Sequence, residues 1–281
     1  MKYWDLLEKG RKALKSSGVT EWETDAFILF EYATGLNRAD YLLRQSDEVP
    51  DGVAEGFMSH ISRRTEGIPV QYITGLASFM GLDFHVNENV LIPRFDTEVL
   101  VETVLSLLPE SGEVDILDMC TGSGCIAVSL AILGKKKGRD LNAYAADISE
   151  EAVLVARKNA EANGADVSFI QGDLFENVTG EFDIIVSNPP YIRTGDIEEL
   201  DVTVRGYEPK QALDGDKDGL KFYRKITEDS LKHIKNKGLL CYEIGYDQAE
   251  DVESIMSKAG YKDIHILKDL AGLDRVIWGR R

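Results

Sequence analysis

The sequence predicts an α/β protein built on an open, mostly parallel seven-stranded sheet with an antiparallel last strand. A small N-terminal helical domain and a β-hairpin precede it. Three observations predict this. From Val114 onward, short apolar runs alternate with helix-length amphipathic segments. Each of the first four runs stops at a polar or Gly-rich site. The last two runs lie too close in sequence for a crossover helix, so they should pair antiparallel.

Residues 1–75 read as the helical domain. Trp4, Leu7, Ala13 and Leu14 recur at helical spacing, as do Trp22, Ala26, Leu29, Phe30 and Ala33. Thr20, with Glu23 three residues on, is a candidate cap. Gly18, Gly35, Pro50-Asp51-Gly52 and Gly67 punctuate the helices. Residues 76–95 switch to alternation: Phe79, Leu82, Phe84 and Val86 lead to Asn87-Glu88-Asn89 and then Val90-Leu91-Ile92. That is a hairpin signature, read as the linker between domains. Residues 96–281 form the large domain. Asp96 or Thr97 starts a helix containing Val99, Leu100, Val104 and Leu107.

The strands of the large domain then follow in order. Val114–Met119 runs into the turn Cys120-Thr121-Gly122-Ser123-Gly124, which opens an apolar helix. Ala143–Ala146 ends at Asp147, and Val167–Ile170 ends at Gly172-Asp173-Leu174. Phe182–Ser187 ends at Asn188-Pro189-Pro190-Tyr191. The late strands are Gly238–Ile244, Ile264–Leu267 and Arg275–Trp278.

In an open parallel sheet these four strand ends line up along one edge. Glycines at the first end let the backbone bend sharply and approach a ligand, and the next helix offers free N–H groups. Gly122-x-Gly124-x-x-Ala127 matches the dinucleotide fingerprint, a low-specificity pattern when it stands alone, and makes the sheet Rossmann-like. Asp147 can accept both hydroxyls of a ribose. Its bland reading is a helix cap, since Ser149-Glu150-Glu151 begins a helix. At the fourth end, Pro189 and Pro190 have no N–H, so their carbonyls are free to point elsewhere. The Asn188 carbonyl oxygen beside a proline carbonyl makes a pair of acceptors suited to a planar –NH2 group. Tyr191 adds a flat face. The bland reading of this tetrapeptide is a turn that ends a strand, with Tyr191 as a packing residue.

Composition narrows the partners. The 281 residues carry a formal net charge of −17, which argues against a phosphate-backbone partner. The 3 cysteines, Cys120, Cys125 and Cys241, have no metal or redox spacing and read as buried thiols of a cytoplasmic protein. Met1–Leu7 lacks the apolar core of a secretion signal, and no run is long enough to span a bilayer.

Taken together, the chain resembles class I S-adenosylmethionine-dependent methyltransferases, and within them the HemK/PrmC type, which modify a glutamine of peptide chain release factors. The resemblance covers nearly the whole chain. It includes Pro69-Val70-Gln71-Tyr72-Ile73-Thr74-Gly75, Ile92-Pro93-Arg94-Phe95-Asp96-Thr97-Glu98, the Gly turn, Asp147 and Asn188 to Tyr191. It continues through Tyr207-Glu208-Pro209, Glu243-Ile244-Gly245 and Asp269 to Val276. Asn-Pro-Pro-Tyr is shared with DNA adenine and some RNA methylases; the Ile-Pro-Arg-x-Asp-Thr-Glu segment separates this family from them.

The resemblance implies S-adenosyl-L-methionine as cofactor. Residues Cys120, Thr121, Gly122, Ser123 and Gly124 would wrap its amino-acid and ribose end, and Asp147 its ribose hydroxyls. Asp173 and Leu174 would flank the adenine. Asp118 would either bond near the methionine moiety or orient the turn. The family usually has Gly at Cys120 and often an aromatic residue at Leu174. Asn188 and Pro189 would hold the substrate amide, with Pro190, Tyr191 and Arg94 bordering it and Tyr191 stacked on the amide plane; Asn188 would also contact the cofactor. Glu243 is expected to be structural or to lie behind the site. The substrate implied is the glutamine of a Gly-Gly-Gln loop in a release factor, gripped by the helical domain. Alternatives are glutamine methylation of a ribosomal protein, or methylation of an adenine amino group of DNA or RNA. A nicotinamide enzyme would leave Asn188 to Tyr191 without a task, and a non-catalytic adaptor would not need Gly122, Gly124, Asp147 and Asn188 together.

Overall fold

The computed structural model describes residues 1–281, which divide into two compact units. The first comprises Met1–Leu76 with Asp201–Tyr207, and the second Ala77–Leu200 with Glu208–Arg281.

The first unit contains α1 (Tyr3–Ser16), α2 (Trp22–Thr34), α3 (Arg38–Arg44), α4 (Val53–Thr65) and α5 (Val70–Thr74). Its core is organised around Phe30, whose ring meets Tyr3, Tyr41 and Phe57 edge-on at centroid distances of 5.9, 5.3 and 5.9 Å. The buried Asp25 carboxylate is paired with Arg64 at 2.7 Å. Thr20 does not cap α2: the helix starts at Trp22, Glu21 holds the cap position, and no side chain bonds to the first turn. Two acidic residues in that turn, Glu23 and Asp25, sit favourably at the positive end of the helix dipole. Gly35 ends α2 at φ 70°, a left-handed conformation that glycine adopts without a Cβ clash.

A hairpin follows, β1 (Leu76–Phe79) and β2 (Leu82–His85), which belongs to the second unit from Ala77 onward. Met80 and Gly81 at its tip both have positive φ, 53° and 72°, as a tight two-residue hairpin turn requires. Phe79 and Phe84 are buried in one cluster with Leu100 and Val104, so the residues read as a linker contribute to this unit's core. There follow α6 (Phe95–Leu107), β3 (Glu113–Met119), α7 (Cys125–Lys136), β4 (Asp140–Asp147), α8 (Glu150–Asn163), β5 (Val167–Gln171) and β6 (Phe182–Ser187). The chain then passes a short 3-10 turn, Ile197–Glu199, then α9 (Val202–Arg205), which groups with the first unit, and α10 (Lys210–Leu213). It closes with α11 (Lys221–Ser230), β7 (Ile234–Glu243), α12 (Ala249–Lys258), β8 (Lys262–Lys268) and β9 (Asp274–Arg280).

The seven strands lie in the order β5-β4-β3-β6-β7-β9-β8. The first five are parallel, and β9 is antiparallel to both β7 and β8. Alternate residues serve opposite faces, as the pleat demands. Ile116, Ile184, Val186 and Cys241 pack against α6, α7 and α8, whereas Leu117, Met119, Ile185 and Tyr242 pack against α11 and α12. The strand order reverses at β3, between its neighbours β4 and β6, which opens a crevice beyond the carboxyl ends of the strands.

Gly10 on α1 gives a direct test of packing in the first unit. Alanine has about 1 kcal/mol more helix propensity. A Cβ at Gly10, however, would collide with the buried Phe57 ring and approach Ile61 Cδ1 at 3.1 Å. Overpacking of this kind costs about 1–3 kcal/mol. Gly10→Ala is expected to lower the midpoint of thermal unfolding measured by calorimetry, despite its better helix propensity.

Candidate active site

A cavity of about 720 Å³ occupies the crevice, within the range of small-molecule sites. It is lined by the Gly turn after β3, Asp147 and Ile148 after β4, Asp173 and Leu174 after β5, and Asn188 and Pro190 after β6. The four strand ends picked out in the sequence therefore converge on one space.

The turn is held from below. Asp118 is fully buried; its Oδ2 accepts from Thr121 Oγ1 at 2.6 Å and from Ala127 N at 3.2 Å. It does not line the cavity, so of the two readings the turn-orienting one fits its position. Its Oδ1 is buried with no partner, and burial pushes its pKa up to about 7. Gly122 and Gly124 adopt φ 53° and 80°. A Cβ on Gly124 would lie 2.9 Å from Ala156 Cβ on α8, so this glycine permits close helix packing. A Cβ on Gly122 would meet nothing within 4 Å. Cys120 itself has φ 63°, a region that suits glycine and in which a Cβ is strained. Leu174 has φ 52° and is also strained.

Asp147 is not a helix cap. Ser149 caps α8, its Oγ accepting from Ala152 N at 3.1 Å. Asp147 instead takes Gly122 N on Oδ2 at 2.8 Å and Ser149 N on Oδ1 at 2.9 Å. It thereby ties the ends of β3 and β4 together while facing the cavity. Burial raises its pKa, and these backbone N–H bonds oppose the rise.

At the other end of the cavity, Asn188 donates its Nδ2 to Thr97 Oγ1 at 3.3 Å. Thr97 also lines the cavity. No group of the chain donates to Asn188 Oδ1 or to the Pro189 carbonyl. The backbone behind them is fixed by a strap that the sequence did not single out. Ile192 N bonds to Leu213 O at 3.0 Å, Gly215 N to Ile192 O at 2.8 Å, and Thr194 N to Asp216 O at 3.1 Å. A Cβ on Gly215 would lie 2.8 Å from Tyr191 Cα and 2.9 Å from Pro190 O, so only glycine lets the strap lie this close. Gln248 adds its Nε2, donating to Tyr191 O at 3.0 Å.

Tyr191 is not placed to stack on a ligand. Its ring packs against the core cluster that holds Tyr223 and Tyr242, it does not line the cavity, and its hydroxyl turns to Glu243 Oε1 at 3.4 Å. Burial raises its pKa well above the ordinary tyrosine value, with the Glu243 charge adding to the rise. Pro189 is buried and does not line the cavity, and its carbonyl accepts no hydrogen bond from the chain. Arg94 lines the cavity and forms an ion pair with Glu208, whose side chain is 1% exposed. Glu208 Oε2 also accepts from Ile92 N at 3.3 Å, so one buried carboxyl braces the Ile-Pro-Arg segment from 116 residues away.

A Rossmann-like sheet with this strand order, carrying a Gly turn, a strand-end aspartate and an Asn-Pro-Pro-Tyr end on one cavity, defines an α/β methyltransferase. Family models agree: residues 5–75 match the PrmC N-terminal domain and residues 95–205 the methyltransferase small domain. The chain is 40% identical over 282 residues to the release factor glutamine methyltransferase of Clostridium acetobutylicum, covering 99% of this chain and 98% of that one. It is 41% identical over 277 residues to the protein of that name from Agrobacterium fabrum (96% and 94% covered). The chain belongs to the release factor glutamine methyltransferase family. Among solved structures, a methyltransferase from Pyrococcus furiosus is similar in fold, with a TM-score of 0.53 and 19% identity over 79% of this chain and 96% of that one. A 16S rRNA N2 G1207 methyltransferase from Thermus thermophilus also scores 0.53 at 19% identity, over 73% of this chain and 49% of that one.

The raised pKa of Asp118 makes a stability prediction. The group is protonated in both states below its ordinary value of 3.8, so its contribution is fully present there. As pH rises toward about 7 the unfolded chain gains by ionising and the folded one does not, so stability is lost across that window. Asp118→Asn keeps the acceptor for Thr121 and Ala127 but cannot ionise. Its unfolding temperature is expected to fall less steeply than wild type between about pH 4 and about pH 7, read by a pH series of thermal melts.

Proposed function

We propose that this protein is an S-adenosylmethionine-dependent N5-glutamine methyltransferase acting on the Gly-Gly-Gln loop of peptide chain release factors in the cytoplasm. The observation that carries the chemistry is a pair of uncommitted acceptors at the end of β6: Asn188 Oδ1, on a residue that lines the cavity beside the Gly turn, and the carbonyl of its chain neighbour Pro189. The substrate identity rests on the family. In keeping with it, the first unit would grip the body of the release factor.

The residues present fit the cofactor. Asp147 offers a half-buried, N–H-supported carboxylate where ribose hydroxyls are bound in such folds. Gly122 gives the turn an unobstructed face, and Asp173 and Leu174 stand at the next strand end for the adenine. When bound, S-adenosylmethionine supplies an already activated methyl group.

The chain's own part is placement. An amide nitrogen is a poor nucleophile, because its lone pair is delocalised into the carbonyl. Asn188 Oδ1 and the Pro189 carbonyl would each accept one amide hydrogen. Two acceptors in fixed positions favour the partly pyramidal nitrogen of the transition state and direct its lone pair. Neither group takes the proton, which leaves only once the nitrogen has become acidic. Fixing the reacting atoms in line adds the proximity contribution, several kcal/mol in order of magnitude.

Incubation of the purified protein with a release factor and methyl-labelled cofactor, followed by peptide mass spectrometry, tests the assignment. Label on the loop glutamine is expected. Label on a ribosomal protein or on nucleic acid, with none on this glutamine, overturns it. Asn188→Ala is expected to lower kcat by about 100-fold or more, as loss of a transition-state hydrogen-bond group does. Its affinity for S-adenosylmethionine, read by calorimetry, should fall far less than kcat.

A further inference from the structure

We propose that Thr97 and Glu243 are positioning residues that set which way the Asn188 amide faces. The inference rests on the methyltransferase reading above. It starts from a gap in that reading: an asparagine amide is nearly symmetric in shape, and only one of its two orientations presents an acceptor to an incoming –NH2 group. With the amide reversed, Asn188 would point its own donors at the substrate's.

The geometry shows what breaks the symmetry. Asn188 Nδ2 donates to Thr97 Oγ1 at 3.3 Å. A hydroxyl has a single proton, so a hydroxyl that accepts here must send its proton elsewhere. Thr103, further along the same helix, sends its own to the Val99 carbonyl at 2.7 Å. Thr97 makes no such bond to the backbone, and it lowers the pKa of the Glu243 carboxyl, as a nearby hydroxyl donor does. Glu243 sits at the end of β7, 2% exposed, with Oε1 taking the Tyr191 hydroxyl and Oε2 carrying no hydrogen bond. A buried carboxyl with an open oxygen is costly unless it draws in a donor. The Asn188 amide donates to the Thr97 hydroxyl, and the open oxygen of Glu243 is the acceptor left for the Thr97 proton. That direction leaves Asn188 Oδ1 facing the cavity.

The charged and titratable groups around Glu243 come from five elements. Tyr191 comes from the end of β6, Thr97 and Asp96 from α6, Cys125 from α7, Arg275 from β9, and Tyr223 from α11. Arg275 acts only at a distance, since its guanidinium is bonded to Asp269 at 3.1 Å and paired with Asp96 at 3.4 Å. Burial raises the Glu243 pKa to about 7. Once protonated, the carboxyl is itself a donor and no longer demands the Thr97 proton, so kcat should fall as pH drops through about 7.

The test compares Thr97→Val, Thr97→Ser and Glu243→Gln with wild type on release factor. Thr97→Val is expected to lower kcat by about 10- to 100-fold, the scale of a slightly misplaced reacting group, with KM little changed. Thr97→Ser restores the hydroxyl and should recover most of that loss. Glu243→Gln, which can donate where the carboxylate accepts, should lower kcat and remove the pH inflection near neutrality. Calorimetric affinity for S-adenosylmethionine, unchanged in all three, shows that the variants are folded. Wild-type kcat and pH profile in Thr97→Val overturn the positioning role alone. Failure of wild type to label the loop glutamine overturns the substrate reading instead.

Discussion

The reversal of strand order at β3 is the constraint on which the rest of this structure depends. From β3 the chain crosses through α7 to β4 and through α8 to β5, both over one face of the sheet. From β6 it crosses through α11 to β7 over the other face. Helices that leave adjacent strands on opposite faces cannot close over the strand ends, so the crevice between them stays open. Ser187, the last residue of β6, donates its hydroxyl to the carbonyl of Met119, the last residue of β3, at 2.6 Å in a fully buried position. That bond couples the Gly turn to Asn188. A one-residue slip between these strands would carry Asn188 out of the cavity and every apolar side chain of β6 to the wrong face.

Strain and buried charge gather around the same crevice. Of six non-glycine residues with positive φ, Cys120, Leu174 and Asp216 line the cavity. Left-handed backbone costs roughly 1–2 kcal/mol at a residue with a Cβ and persists only where the surroundings enforce it. At Cys120 the surroundings are plain: Thr121 N is bonded to Ala146 O at 3.0 Å, and Gly122 N to Asp147. The two fully buried acids with an unpartnered oxygen, Asp118 and Glu243, sit at the ends of β3 and β7. Each braces a strand-end segment from behind.

Features carried by local pattern were legible in the sequence, and features made by distant contacts were not. The Gly turn, Asp147, Asp173 and Asn188 announce themselves because a strand that stops at a polar or glycine residue is a local signal. The antiparallel β8–β9 pair followed from the shortness of its connection. Thr97 could not be assigned, because its partner Asn188 is 91 residues away and an Asp-Thr-Glu run at a helix start already has a sufficient local explanation. Glu208 was seen as part of a motif, but its task of holding Ile92 and Arg94 appears only in three dimensions. The strap at Gly215 and Gly219 reads in sequence as an ordinary glycine-rich loop; its closeness to Tyr191 gives the glycines their purpose. Tyr191 shows the converse error. A tyrosine after Asn-Pro-Pro suggests a stacking surface, yet the side chain turns inward to Glu243.

The acceptor pair also explains why the residue after β6 is an amide and not an acid. A carboxylate at position 188 would stand near Glu243 and within a chain of net charge −17. Like charges and burial would raise its pKa, as they raise those of Asp118 and Glu243, and a protonated carboxyl presents a donor on one oxygen. On the proposed function it would then set a donor against the –NH2 group of the substrate. An amide does not titrate, so its oxygen remains an acceptor at any physiological pH, provided that its orientation is fixed. The Pro189 carbonyl is equally indifferent to pH, and proline at that position removes the N–H that could have competed for the site. On the proposed function the two acceptors at the end of β6 are neutral, and the ionisable Glu243 stands behind them, bonded to Tyr191 rather than to the cavity.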